Sequence, residues 1–199
     1  MTPSLAVYCR GRIPSDFHTS PQPQPCPVML GLTTLGLIHT AVSLVAVGTG
    51  LAALIRDREI TPRNRLGQTY VVTTVIVCLT GFGIYQHGGF GKAHALGLIT
   101  LAVLGLAALA ASKPWFGRSA RYVETIGYSA TFFFHLIPGF TETATRLPVG
   151  APLASSPEAP GLQAAIGGCF VLFLVGTALQ IRRLRANTST APARTASAA

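Results

Sequence analysis

Apolar residues along the chain fall into five long runs separated by short charged or Gly/Pro-containing segments. The runs extend from about Leu30 to Ile55, Leu66 to Tyr85, Ala93 to Ser112, Tyr122 to about Phe140, and Leu162 to Ile181. About 20 apolar residues carry an α-helix across the hydrocarbon core of a bilayer, so each run has the length of a span. The second is the most broken, with Thr73, Thr74 and Thr80 inside it. One such run would fit a buried helix of a soluble domain; five within 199 residues would not. The pattern predicts an all-α integral membrane protein, an antiparallel bundle of five transmembrane helices.

Composition agrees and removes alternatives. Hydrophobic residues make up 49% of the chain and charged residues 11%, against about 25% charged in an ordinary soluble domain. The net charge of +9 would suggest nucleic acid if it lay on one soluble face. Here the charges sit in clusters between apolar runs, so lipid and not nucleic acid is the expected surrounding. Counting Lys and Arg in short loops gives the orientation. Arg56, Arg58, Arg63, Arg65, Lys113, Arg118, Arg121, Arg182, Arg183, Arg185 and Arg194 fall on one side, and Arg10, Arg12, Lys92 and Arg146 on the other. Every alternate loop agrees, which predicts the N-terminus outside and the C-terminus in the cytoplasm. Thirteen Arg against two Lys, with abundant Ala, points to a GC-rich bacterial genome and hence to an inner (plasma) membrane.

Three regions follow. Residues 1–28 are Pro- and Ser-rich, lack the apolar core of a signal peptide, and are expected to be disordered. Met29 stands at the edge of the first span and is an alternative start. Residues 29–185 form the transmembrane domain, and the Ser/Thr/Ala/Pro-rich tail 186–199 has too little apolar content to fold. Cys9 and Cys26, on the outer side, would be able to pair in an oxidising compartment. Cys78 and Cys169 lie within spans without C-x-x-C spacing and read as small buried hydrophobes.

Ionisable residues are costly within a bilayer and mark functional positions. His39 lies nine residues from Leu30, about 14 Å below the outer edge at ~1.5 Å per residue. His135 lies fourteen residues from Arg121, about 21 Å above the inner edge on the same rise. His87 ends the second run and His94 begins the third, so four histidines share the outer half. Neutral imidazole is the commonest metal ligand, and bundle cores build sites from facing helices. Haem b or a transition metal held by His39 and His135, with His87 and His94 as alternatives nearer water, fits this placement. So does no cofactor at all. His87 and His94 flank a glycine-rich turn (Gly88, Gly89, Gly91), where headgroup water would suffice, and His39 would serve equally as an interhelical hydrogen-bonding group.

The fourth run is the most unusual. Glu124, Tyr128, Thr131, His135, Pro138, Glu142 and Arg146 recur every three or four residues and make one polar stripe if the helix continues past Pro138. Pro138 is expected to kink or end it. Glu142 and Arg146 can pair at four-residue spacing, and would anchor an anionic group such as a haem propionate. The stripe would relay protons, line a small polar cavity, or hydrogen-bond between helices. Thr73, Thr80 and His87 make a fainter stripe on the second run, and Gly48 with Ala52 or Ala164 with Gly168 have the spacing of close helix packing. No nucleotide loop, hydrolase elbow or metalloprotease helix is present. The only aspartates are Asp16 and Asp57, which gives Ser/His/Asp catalysis no footing and argues against an enzyme.

The stretch 29–185 resembles an uncharacterised family of bacterial multi-span membrane proteins. The resemblance rests on His39, on Arg65-Leu66-Gly67-Gln68-Thr69-Tyr70 after a basic loop, and on Phe134-His135-x-x-Pro138. The run Thr141-Glu142-Thr143-Ala144-Thr145-Arg146-Leu147-Pro148 resembles one subgroup. Family members usually carry His-Arg-x-Leu-Gly-Arg-x-Tyr, where this chain has Arg63, Asn64 and Gln68 at the three departing positions. The resemblance implies fold and location and no activity. The sequence therefore leaves three expectations: an outer-half histidine site that binds haem or a metal in electron transfer, a small transporter or proton-coupled component using the fourth-run stripe, or an accessory subunit for a membrane-protein partner.

Overall fold

A computed structural model describes residues 33–84 and 90–196. His87, Cys9, Cys26 and the segment 1–28 lie outside the described residues. Five long helices follow in order: α1 (Thr34–Asp57), α2 (Arg65–Gly81), α3 (Lys92–Ser112), α4 (Ala120–Arg146) and α5 (Pro160–Ala196), with a short 3-10 helix at Pro114–Ser119. The described residues contain no strand.

Local chemistry sets the boundaries. Thr33 caps α1, its hydroxyl accepting the Gly36 N–H at 3.1 Å, and α1 stops where Arg58 turns left-handed at φ 61°. Asn64 caps α2 by accepting the Gly67 N–H at 2.9 Å. Both are polar N-caps that satisfy amides otherwise left without a partner. α4 remains helical on both sides of Pro138, so the stripe does continue beyond it. α5 is helical past Ile181 and into the Ser/Thr-rich tail as far as Ala196.

The helices pack as α1 on α2, α3 on α4, and α5 against α4. Small residues bring the first pairs together, but they are not all the ones the spacing suggested. Gly48 is exposed and Ala52 only partly buried, whereas Ala46, Gly50 and Ala53 are buried. A Cβ on Gly50 would stand 2.7 Å from the Phe132 ring and 2.9 Å from Tyr70. Likewise Gly127 of α4 meets Ala107 of α3, while Ala164 and Gly168 face outward. The spacing of small residues identifies a helix face only when the phase of its neighbours is known as well.

The distribution of polarity is inverted relative to a protein in water. Ile55, Leu44 and Leu172 are 73%, 69% and 71% exposed, whereas Glu124, Thr74 and Thr131 are at most 1% exposed. Apolar surface on this scale belongs in lipid. Three helices are long and apolar enough to cross a membrane, namely α1, α3 and α5 as far as Asn187. The other two of the five expected spans fall short for identifiable reasons. α2 has 17 residues, about 26 Å at ~1.5 Å per residue. α4 has ample length at 27 residues, but Glu124, Thr125, Tyr128, Ser129, Thr131 and His135 are turned inward and dilute its apolar character.

The α1–α2 connection, the start of α4 and the second half of α5 meet at one end of the bundle. Gln180 Nε2 donates to the Arg58 carbonyl at 3.0 Å, Arg183 Nη1 to the Asp57 carbonyl at 2.9 Å, and Arg121 Nη2 to Glu59 at 3.1 Å. That end carries most of the arginines. The opposite end has Lys92 opposite Glu158 at 3.8 Å and the Glu142–Arg146 pair.

Candidate functional site

The α2 and α4 backbones face one another with no two Cα atoms within 8 Å. The space between them holds the side chains of Tyr70, Thr74, Glu124, Tyr128, Thr131 and His135, beside a core cluster to which Tyr70 and Tyr128 also belong. These side chains form a file running along the bundle from the arginine-rich end to the level of His39.

At the arginine-rich end the loop before α2 folds onto the first turn of that helix. A Cβ on Gly67 would lie 1.8 Å from the Thr61 carbonyl oxygen, so the loop approaches this closely only over glycine. This sends Arg63 across to α4. Its guanidinium donates to both oxygens of Glu124, at 2.6 Å and 3.0 Å, and to Thr61 Oγ1 at 3.1 Å. Arg121 donates to Glu124 Oε2 at 3.2 Å and to both oxygens of Glu59 at 3.1 Å and 3.2 Å. The result is an alternating chain Arg63–Glu124–Arg121–Glu59, neutral as a whole. Burial works against the Arg121 charge, but Glu59 and then Glu124 outweigh it and hold its pKa above the ordinary arginine value. Glu124 is 1% exposed, while the two arginine side chains are 53% and 42% exposed. A charge so deeply enclosed persists only when paired.

Further along, Tyr128 is buried next to Glu124 and within electrostatic reach of it. The Thr131 hydroxyl donates to the Tyr128 carbonyl at 2.9 Å, so the Tyr70 hydroxyl, 2.9 Å away, is the donor to Thr131 Oγ1. Thr74, one turn beyond Tyr70 on α2, lies 3.0 Å from His135 Nε2. The Tyr70 ring also meets the His135 ring edge-on, with centroids 6.0 Å apart, and Thr74 is within reach of the Tyr70 hydroxyl. His39 of α1 comes next, within electrostatic range of His135 on one side and of Glu142 on the other. Its Nδ1 lies 3.0 Å from Thr80 Oγ1. Thr80 already donates to the Ile76 carbonyl at 2.8 Å, which makes His39 Nδ1 the donor and leaves Nε2 as the basic nitrogen.

The structure therefore sets His39 of α1 and His135 of α4 within electrostatic range of one another, with Glu142 in range of His39. Glu142 itself pairs with Arg146 at the exposed end of α4. His94 has a different setting. Its Nδ1 accepts the Gly91 N–H at 3.2 Å and caps α3, and its ring lies against Phe82 and Phe90. Among the described residues no three of His, Cys, Asp and Glu are grouped to hold a metal ion. Cys78 is buried and Cys169 half-buried, both as free thiols.

The α4 half of the file is the stripe expected from sequence. Its α2 half differs in part: Thr73 bonds its own helix backbone and Tyr70 and Thr74 face inward in its place, while Thr80 of the expected fainter stripe reaches His39. Arg63 and Glu59 were not expected to take part. A clue was present, since Tyr70 and Thr74 are four apart on one helical face. No family model, curated protein or solved structure matches the chain.

Proposed function

We propose that this chain is a proton-coupled component of a bacterial inner membrane, with five spans, its N-terminus outside and its C-terminus in the cytoplasm. The orientation rests on the excess of arginine at one end of the bundle, which is the cytoplasmic end by the positive-inside rule. α2 and α4 cross as well in this reading, their polar faces turned to each other and their apolar faces to lipid. The resemblance to uncharacterised bacterial membrane proteins agrees with that location.

One observation carries the functional reading: titratable and hydroxyl side chains lie in succession inside the bundle between Glu142 and Glu124, with Thr74 bonded to His135, Tyr70 bonded to Thr131, and His39 within electrostatic range of His135. A proton taken up by His39 or His135 moves along Thr74, Tyr70 and Thr131 as their hydroxyls turn, and passes by Tyr128 to Glu124, which accepts it when its bonds to Arg63 open. The Arg63–Glu124–Arg121–Glu59 chain closes the cytoplasmic end at rest. Tyr70, Thr74 and Thr131 are fully buried, which closes the file to a larger solute and requires transfer from hydroxyl to hydroxyl in place of a water-accessible path. The test uses protein reconstituted in vesicles with a trapped pH-sensitive dye and an imposed potassium potential. Proton uptake above that of protein-free vesicles, lost on His135→Phe, is the expected result; uptake equal to empty vesicles would overturn the proposal.

Two other readings each keep one support. The closeness of His39 and His135 suits haem or a metal, and an absorption spectrum with metal analysis of protein from haem-replete cells decides it. The outward Ala164 and Gly168, four apart on α5, suit a membrane-protein partner, which cysteine crosslinking from that face would capture.

A further inference from the structure

Two clefts lie beside α5, and they adjoin at Gln180. The first, of about 60 Å³, opens at the arginine-rich end between the α1–α2 connection, α4 and α5; Arg58, Glu59, Arg121, Gln180 and Arg183 line it. The second, of about 230 Å³, runs along the bundle between α4 and α5, lined by Leu54, Phe132, Phe173, Gly176 and Cys169. Gln180 borders both. On α4, Thr125 borders the first and Ser129, one turn on, the second.

The two halves have opposite chemistry. Three guanidiniums face one carboxylate in the first, and Glu59 is already engaged by Arg121. Arg58 has no carboxylate partner among the described residues. Arginine at such a place binds phosphate through charge and directed N–H groups together, and basic pockets between spans on the cytoplasmic side take anionic headgroups. The second half is walled by leucine and phenylalanine and opens to the lipid side of α5. A free phosphate would use the first half only. A molecule with an anionic head and an apolar chain would use both.

The geometry points to a bound anionic phospholipid, its phosphate at Arg58 and Arg183 and an acyl chain along the α4–α5 groove beside Gly176. The first cleft shares Glu59 and Arg121 with the ion-pair chain at the end of the file, whereas Arg58, Arg183 and Gly176 belong to the clefts alone, so substitutions at those three let either proposal fail alone. In this arrangement the lipid joins α5 to the rest of the bundle, reinforcing the bonds from Gln180 and Arg183 to the end of α1.

Native mass spectrometry of the full chain in detergent, with phosphatidylglycerol, phosphatidylcholine or glycerol 1-phosphate added, tests this. Phosphatidylglycerol should be retained well above phosphatidylcholine, and glycerol 1-phosphate should not displace it at equal concentration. Arg58→Gly removes the guanidinium while suiting the left-handed backbone at φ 61°. It should weaken phosphatidylglycerol about fivefold, and with Arg183→Gln about 25-fold if the two effects add. A Cβ on Gly176 meets nothing within 4 Å, so Gly176→Leu should fold, fill the groove and weaken the lipid. Proton flux in Arg58→Gly should match wild type. Equal retention of the two lipids, or an Arg58→Gly variant that binds like wild type, would overturn the site. Displacement by glycerol 1-phosphate, or indifference to Gly176→Leu, would overturn the lipid in favour of a free phosphate.

Discussion

Removing Arg63 and removing Glu124 should have unequal effects, because the two groups differ in access to water. Glu124 is 1% exposed and the Arg63 side chain 53%. In Arg63→Ala, Glu124 Oε1 loses its bond at 2.6 Å and Oε2 keeps only Arg121 at 3.2 Å. Stripping one partner from a buried ion pair costs about 3–5 kcal/mol. The remaining Arg121 bond and the half-exposed position of Arg63 bring the expectation down to roughly 2–4 kcal/mol. At about 2–4 °C per kcal/mol for a chain of this size, that is a fall in Tm on the order of 4–16 °C. Glu124→Gln leaves both arginines near enough to water to be hydrated and should cost only about 1 kcal/mol. In the double variant no buried carboxylate is left stranded, so it should be more stable than Arg63→Ala alone. Arg63→Lys should rescue only in part, since an ammonium does not reproduce the two-pronged contact. Thermal unfolding of the wild type and these four variants in one detergent, read by helical circular dichroism, makes the comparison. Additive effects, or Glu124→Gln costing more than Arg63→Ala, would refute the reasoning.

Four further substitutions probe the file and the frame around it. Gly67→Ala places a methyl 1.8 Å from the Thr61 carbonyl oxygen; backbone cannot yield as a side chain does, and the protein should fail to accumulate in membranes or lose about 3 kcal/mol or more. Gly50→Ala presses on the Phe132 and Tyr70 rings and should cost about 1–3 kcal/mol by overpacking, whereas Gly48→Ala, with nothing within 4 Å, should be silent in the same melting assay. Tyr70→Phe removes the donor to Thr131, whose own hydroxyl stays bonded to the Tyr128 carbonyl. It should cost only about 0.5–1.5 kcal/mol yet sharply reduce proton flux in vesicles.

The helices and the α4 stripe were legible because burial of Glu124, Tyr128, Thr131 and His135 repeats at helical spacing along one element. The α2 half was not. Thr73 and Thr74 are adjacent in sequence, and only the packing of α1 against α2 decides which of them turns inward. Arg63 escaped notice for a related reason: as a loop arginine at the membrane edge it reads as a topology signal, and its pairing with Glu124 spans 61 positions of sequence. His94 drew attention as a possible ligand, but a ring nitrogen three residues beyond Gly91 is also placed to cap α3, which is what it does.

Thr74→Val tests the central claim most directly. It keeps the shape of the side chain and every titratable group, and removes only the hydroxyl 3.0 Å from His135 Nε2. In matched vesicles under an imposed potassium potential, the account predicts that the folded variant loses the proton uptake of the wild type and that Thr74→Ser restores it. Uptake in Thr74→Val equal to wild type would contradict it, leaving the file as hydrogen bonding that holds the helices together.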